Sequence, residues 1–295
     1  FFFKQKTAYE IKECDWSSDV CSSDLNLPTT RHPMTQTPQT VTEHPMPGVT
    51  RITLARPDSL NALSSDMMAE LLARLEQVAA DPECRVVVLA AQGKAFSAGH
   101  DLREMRGQPE LSFYQDLFAQ CSRLMLALQK LPQPVIAQVQ GIATAAGCQL
   151  VAMCDLAIAS EKSRFAVSGI NYGLFCSTPS VALSRNVGRK KAMEMLLTGD
   201  FIDAPEAERQ GLINRCVPAA ELDATVAALC TKIVAKPPAS VRMGKALFYQ
   251  QLELGIAAAY QLAGQTMACN MMDDAAQEGF QAFIDKRPPN WGQPQ

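Results

Sequence analysis

Two stretches of the chain hold residues whose types and spacing could do chemistry: Lys94-Ala95-Phe96-Ser97-Ala98-Gly99-His100-Asp101-Leu102 and Gly141-Ile142-Ala143-Thr144-Ala145-Ala146-Gly147-Cys148-Gln149. Both are built largely from small residues, and both lie where a strand pattern gives way to a helix pattern. Small side chains let main-chain N–H groups face outward, and a helix start leaves its first N–H groups unpaired at the positive end of the dipole. Two such starts side by side would stabilise an oxygen that gains negative charge. The spacing alone leaves the bland alternative open, since turns of this kind also serve as ordinary strand-to-helix loops. His100 is the only histidine in the body of the chain, the others being His32 and His44. Its titration near neutrality could serve proton transfer; the plainer reading uses only its backbone.

These loops need elements to position them. Val49 to Leu54 alternates as a strand and ends at the Arg56-Pro57 turn. Ser64 reads as an N-cap for a helix carrying Met67, Met68, Leu71, Leu72, Leu75 and Val78, which Pro82 stops. Arg85 to Ala91 reads as a buried parallel strand. A helix is expected over 112–130, a strand over 135–139, a short and almost wholly apolar helix over 145–153, and a strand over 156–159. Beyond Pro179 helices dominate: 190–198, a start at Asp203 with Glu206 three residues on, 220–235, 239–252 and two more. Cys148, Cys154, Met67, Met68, Met193 and Met195 fall on helical faces and read as core, and Arg189-Lys190-Lys191 reads as a solvated helix start.

With 27 Lys+Arg against 30 Asp+Glu the net charge is −3, which gives no footprint for a polyanion, so nucleic-acid binding is not expected. No apolar stretch reaches the roughly 20 residues of a membrane helix. The ten cysteines are scattered without a CxxC pair, which points to a reducing compartment, and three histidines are too few for a His-based zinc site. Residues 1–25 share neither periodicity nor composition with the rest and resemble translated sequencing-adapter read-through; they are expected to be non-native. Residues 26–47, rich in Thr, Pro and Gln, are expected to be a disordered lead-in, with an α/β core over 48–235 and a helical C-terminal region over 236–295.

The run from Arg56-Pro57 and Asn61-Ala62-Leu63 through 96–102 and Gly141 to Asp155, and on to Gly199, Ala207, Gly211-Leu212 and Pro218, resembles the enoyl-CoA hydratase/isomerase (crotonase) family over about residues 48–290. Ala145-Ala146-Gly147-Cys148-Gln149-Leu150 and Gly173-Leu174-Phe175-Cys176-Ser177-Thr178-Pro179 look most like its enoyl-CoA hydratase domain-containing protein 3 subgroup. The resemblance implies the crotonase (ClpP/crotonase-like) α/β spiral of ββα units with a helical C-terminal region used in trimerisation, hence a homotrimer or a hexamer. It also implies an acyl-CoA partner whose thioester carbonyl is gripped by the His100 and Ala146 N–H groups. The CoA pocket would then include Ala98, His100, Asp101, Leu102, Arg103 and Ala146, with Lys286 approaching the CoA phosphates. No separate cofactor is expected, because coenzyme A belongs to the substrate.

The departures from the family pattern bear on the reaction. Family hydratases use two glutamates to place and protonate water; Gln149 stands at the first position and Gly169 at the second. An amide has no useful pKa near neutrality and a glycine has no side chain, so the two-carboxylate hydration cannot run unchanged. Cys176, Ser177 and Asn171 lie where other members place alternative groups, and each also fits a packing or turn role. Three readings follow: an enoyl-CoA hydratase-like lyase of fatty-acid metabolism with a rebuilt site, a catalytically silent acyl-CoA binder, or a decarboxylase or thioesterase using the same polarised carbonyl. Animal members are mitochondrial; this chain reads as bacterial and cytoplasmic.

Overall fold

Val86-Val87-Val88-Leu89-Ala90-Ala91 is apolar at every position and rich in β-branched residues, as suits a strand covered on both faces, and five of its six residues are buried. In the computed structural model, which describes residues 38–291, it lies inside a six-stranded sheet. The chain reaches it through β1 (Thr40–Met46), β2 (Val49–Leu54) and α1 (Ser65–Ala80). The Ser64 side chain caps α1 by accepting from the Met67 N–H at 3.2 Å. Met67, Met68, Leu71, Leu75 and Val78 bury one face of that helix, and each such side chain contributes about 1.5–3 kcal/mol.

The run itself is β3 (Val86–Ala91), followed by β4 (Ala95–Ser97), α2 (Leu102–Gly107) and α3 (Leu111–Lys130). The next unit is β5 (Val135–Val139), β6 (Ile142–Thr144) and α4 (Ala146–Met153), and the one after it β7 (Leu156–Ser160), β8 (Arg164–Ala166) and α5 (Ser177–Asn186). Then come α6 (Arg189–Thr198), β9 (Ile202–Asp203), α7 (Ala204–Arg209), β10 (Arg215–Val217) and α8 (Leu222–Val234). The C-terminal helices are α9 (Pro238–Leu252), α10 (Ile256–Met271) and α11 (Asp274–Ile284).

From β3 onward each ββα unit gives its first strand to the large sheet, ordered β1-β2-β3-β5-β7-β10, and its second to a smaller sheet, ordered β4-β6-β8-β9. Within both sheets the pairs are parallel except β1–β2 and β8–β9. The Asp203 side chain caps α7 through the Glu206 N–H, as the spacing predicts. Leu222, Val226 and Cys230 of α8 pack on Val49, Val86, Val88, Ile136 and Ile158 of the large sheet. By contrast α9 and α10 have no fully buried residue and α11 has only Ala282. A polar clasp anchors α9 instead: Lys245 Nζ, on a side chain 7% exposed, donates to the Leu128 carbonyl (2.9 Å), the Gln133 carbonyl (3.0 Å) and Asp155 Oδ2 (2.7 Å). Asp155 also accepts from the Tyr249 hydroxyl at 2.8 Å and the Val135 N–H at 2.6 Å.

Three expectations need correction. The segment expected as a disordered lead-in holds β1, which pairs along β2 after a turn at Gly48 (φ +77°). Within β1 only Thr40 is buried, so the strand carries no hydrophobic pattern; main-chain pairing and the Glu70 carboxylate, which accepts from the Gln39 and Thr40 N–H groups at 2.9 and 3.1 Å, fix it. The strand-to-helix connections expected at 94–102 and ahead of the 145–153 helix contain β4 and β6, too short for alternation to show. Met193 is 50% exposed, whereas Met67, Met68 and Met195 are buried. The segment 1–25 and the lead-in residues 26–37 lie outside the described residues.

Candidate functional site

The two small-residue stretches meet. Asn61, fully buried, organises the first: its Nδ2 donates to the Gln92 and Ala95 carbonyls at 2.8 Å each, and its Oδ1 accepts from the Arg56 N–H at 2.9 Å. Ser97 Oγ donates to the Asn61 carbonyl at 2.9 Å, and the Gly99 carbonyl accepts from the Leu63 N–H at 2.8 Å. The backbone at 97–100 is thereby pinned to 60–63. In the second stretch Ala145 takes φ +51° and ψ −122° as α4 begins at Ala146. This conformation is rare for a residue with a Cβ and costs on the order of 1–3 kcal/mol.

Gly99 (φ +89°) is where the two backbones press together. A Cβ there would lie 2.9 Å from Ala145 Cβ and 3.1 Å from the Ala146 nitrogen, so no side chain fits. Gly147 is equally obligatory, since its Cβ would fall 2.2 Å from the Ser97 carbonyl oxygen. Neither the His100 N–H nor the Ala146 N–H has an acceptor among the described residues. Two free donors from adjacent loops, one at the start of a helix, can hold an oxygen atom that gains charge.

They border a cavity of about 300 Å³ lined by Ala98, His100, Ala146 and Gly169 together with Leu102, Met105, Phe118, Leu174 and Phe175. None of its lining side chains is a carboxylate, a lysine or an arginine. The His100 ring stacks obliquely on Phe118 at 5.5 Å between centroids, and burial pushes its pKa down to about 4. The imidazole is therefore neutral at physiological pH, and neither ring nitrogen has a hydrogen-bond partner among the described residues.

The structure brings some of the candidate residues together and leaves others apart. Ala98, His100, Leu102, Ala146 and Gly169 border the cavity; Asp101, Arg103, Gln149 and Lys286 do not. Asp101 caps α2, accepting from the Arg103 and Glu104 N–H groups at 3.0 and 3.4 Å. Gln149 is buried in α4 with Cys121 Sγ 3.9 Å from its Oε1. Lys286 follows α11 with φ +55° and exposed.

Gly169 donates its N–H to Cys176 Sγ at 3.2 Å and accepts from the Leu174 N–H at 3.0 Å. Burial raises the Cys176 thiol pKa, against a smaller opposite effect of that N–H. Cys176 and Ser177 line the cavity, whereas Asn171 reaches the Gly199 carbonyl at 3.5 Å instead. The cavity wall supplied by Met105 and Phe118 had no signal of its own in the sequence, because an apolar residue facing a cavity reads like one facing the core.

The enoyl-CoA hydratase/isomerase family model matches residues 45–294. The mitochondrial enoyl-CoA hydratase domain-containing protein 3 of Rattus norvegicus is 45% identical over 244 residues, 83% of this chain and 81% of that protein. A crystal structure of an enoyl-CoA hydratase from Mycobacterium smegmatis superposes with a TM-score of 0.85 at 59% identity, covering 86% of this chain and 99% of that one. The crystal structure of human enoyl Coenzyme A hydratase domain-containing protein 3 does so with a TM-score of 0.83 at 43% identity, covering 86% and 100%. These likenesses span the large sheet, the small sheet and the C-terminal helices, and the fold is the crotonase fold. The chain belongs to the enoyl-CoA hydratase/isomerase family.

Proposed function

We propose that the protein binds an acyl-CoA thioester and polarises its carbonyl between the His100 and Ala146 N–H groups, so that an enolate can form in an apolar cavity. The observation that carries this reading is the pair of unpartnered donors, pressed together at Gly99, beside a cavity of about 300 Å³. Donors fixed in a water-poor site stabilise developing charge without having to reorganise. Coenzyme A enters as part of the substrate, past Ala98, Asp101, Leu102 and Arg103, with Lys286 toward its phosphates in an assembled homotrimer or hexamer. A place in fatty-acid metabolism, in a reducing cytoplasm, completes the proposal; eight free cysteines among the described residues fit that compartment.

Hydration by two carboxylates is not part of it, since Gln149 lies outside the cavity lining and Gly169 has no room for a side chain. The acid-free lining favours a second reading, a silent acyl-CoA binder. Both readings are tested by titrating the full chain with CoA, crotonyl-CoA, octanoyl-CoA and methylmalonyl-CoA while products are followed by mass spectrometry. Thioesters should bind at least ten-fold more tightly than CoA, and the bound thioester C=O stretch should move to lower frequency. Any product names the reaction, tight binding without product leaves the silent binder, and thioesters bound no better than CoA would defeat the proposal.

A further inference from the structure

The chain reverses at the end of α11. Lys286, at φ +55°, takes a left-handed backbone that favours glycine. Its N–H and that of Arg287 donate to the Phe283 and Ala282 carbonyls at 3.2 and 3.0 Å, which closes the helix. The tail then runs back along α11 and is tied to it at three points. Arg287 grips Glu278 with a fork, Nη1 to Oε1 at 2.7 Å and Nη2 to Oε2 at 2.9 Å, and the Asn290 N–H donates to the same Oε1 at 2.7 Å. The Trp291 ring rests on Gly279, where a Cβ would lie 3.0 Å from it. Glycine inside a helix is unfavourable relative to alanine; here it makes the seat for the ring.

Lys286 stands at the apex of this reversal, and its exposed side chain has no partner among the described residues. The two nearby carboxylates are already engaged: Glu278 in the fork, and Asp285 with Oδ2 3.5 Å from Arg287 Nε. The Arg287 guanidinium, and then the Asn290 N–H, hold the Glu278 pKa down to about 2, so the fork stays charged throughout the neutral range. A cation fixed at its backbone and denied a local acid is available to an anion from elsewhere. Resting on the acyl-CoA reading above, we propose that the strap made by Glu278, Gly279, Arg287 and Trp291 is a positioning device that holds Lys286 for the phosphates of coenzyme A. A bidentate arginine–carboxylate pair fixes direction as well as place. A lysine on a loose tail would lose backbone freedom on gripping a phosphate, and the strap has removed that freedom beforehand.

The test is isothermal titration of the full chain with butyryl-CoA and with butyryl-pantetheine, which carries the same thioester but no phosphate. Lys286→Gln should weaken butyryl-CoA about five-fold and leave butyryl-pantetheine unchanged, while Lys286→Arg, which keeps the charge, should retain most of the affinity. Glu278→Gln and Trp291→Ala should lower the ratio of the two affinities by about three-fold or more, and Glu278→Gln should add nothing once Lys286 is Gln. A merely structural role would lower both affinities together. Loss of a carboxylate would by charge alone tighten an anion, so weaker butyryl-CoA binding in Glu278→Gln reports the strap. Circular dichroism and light scattering establish that each variant keeps its fold and assembly. A ratio that survives in Lys286→Gln, or in both strap variants, overturns the proposal. Butyryl-CoA bound no more tightly than butyryl-pantetheine by the unaltered protein overturns it too and leaves the acyl cavity standing; no binding of either thioester overturns both.

Discussion

At Gly169 an added Cβ would lie 2.5 Å from the Leu174 carbonyl oxygen and 2.7 Å from Cys176 Sγ, so the loop can close only over a glycine. Gly169→Ala should therefore cost about 1–3 kcal/mol of stability, read from urea unfolding, and Gly169→Glu should open the loop without creating a hydratase, read with crotonyl-CoA. The sequence shows that no acid stands at 169; the steric reason needs the carbonyl of Leu174, which no spacing rule places. His100 makes a pH prediction. Its pKa is about 4 in the folded chain against 6.5 for the free side chain. The unfolded chain thus binds the extra proton first as pH falls, and the stabilising contribution, whole above pH 6.5, is lost progressively down to about pH 4. The loss should be about 3 kcal/mol. His100→Phe should remove that part of the pH dependence in thermal unfolding, and the His100 ring should titrate near pH 4 by NMR.

Among the elements, the helices were legible because their apolar faces repeat at helical spacing, as in α1 and α3, and because Ser64 and Asp203 mark their starts. The strands β4, β6 and β8, of three residues each, were not, since a period of two needs more residues to show. The donor at Ala146 was legible only as a helix start; the strained turn before it was not. Ala145→Gly should relax that turn and leave stability unchanged or up to about 1 kcal/mol higher, although Ala→Gly ordinarily lowers it. The clasp on α9 was equally silent, because Lys245 and Asp155 are 90 residues apart. Lys245→Met should cost about 3 kcal/mol by leaving Asp155 without its cation and the Leu128 and Gln133 carbonyls without their donor, and chemical denaturation measures it.

For the molecule as a whole, the C-terminal helices expose large apolar side chains that a lone chain would not present to water: Ile256 (79%), Tyr260 (75%), Met272 (80%) and Phe283 (84%). The proposed homotrimer or hexamer would cover this surface. Light scattering should give three or six times the chain mass, and pairing Ile256→Asp with Phe283→Asp should lower it to one. The strand order carries a kinetic consequence. Because β4, β6 and β8 are each joined within one unit to a strand of the large sheet, none of these three can leave the small sheet without dragging its neighbour from the other. Amide protons at Ala143 and Phe165 should then exchange only through global opening, so the floor beneath the two donors lasts as long as the fold itself.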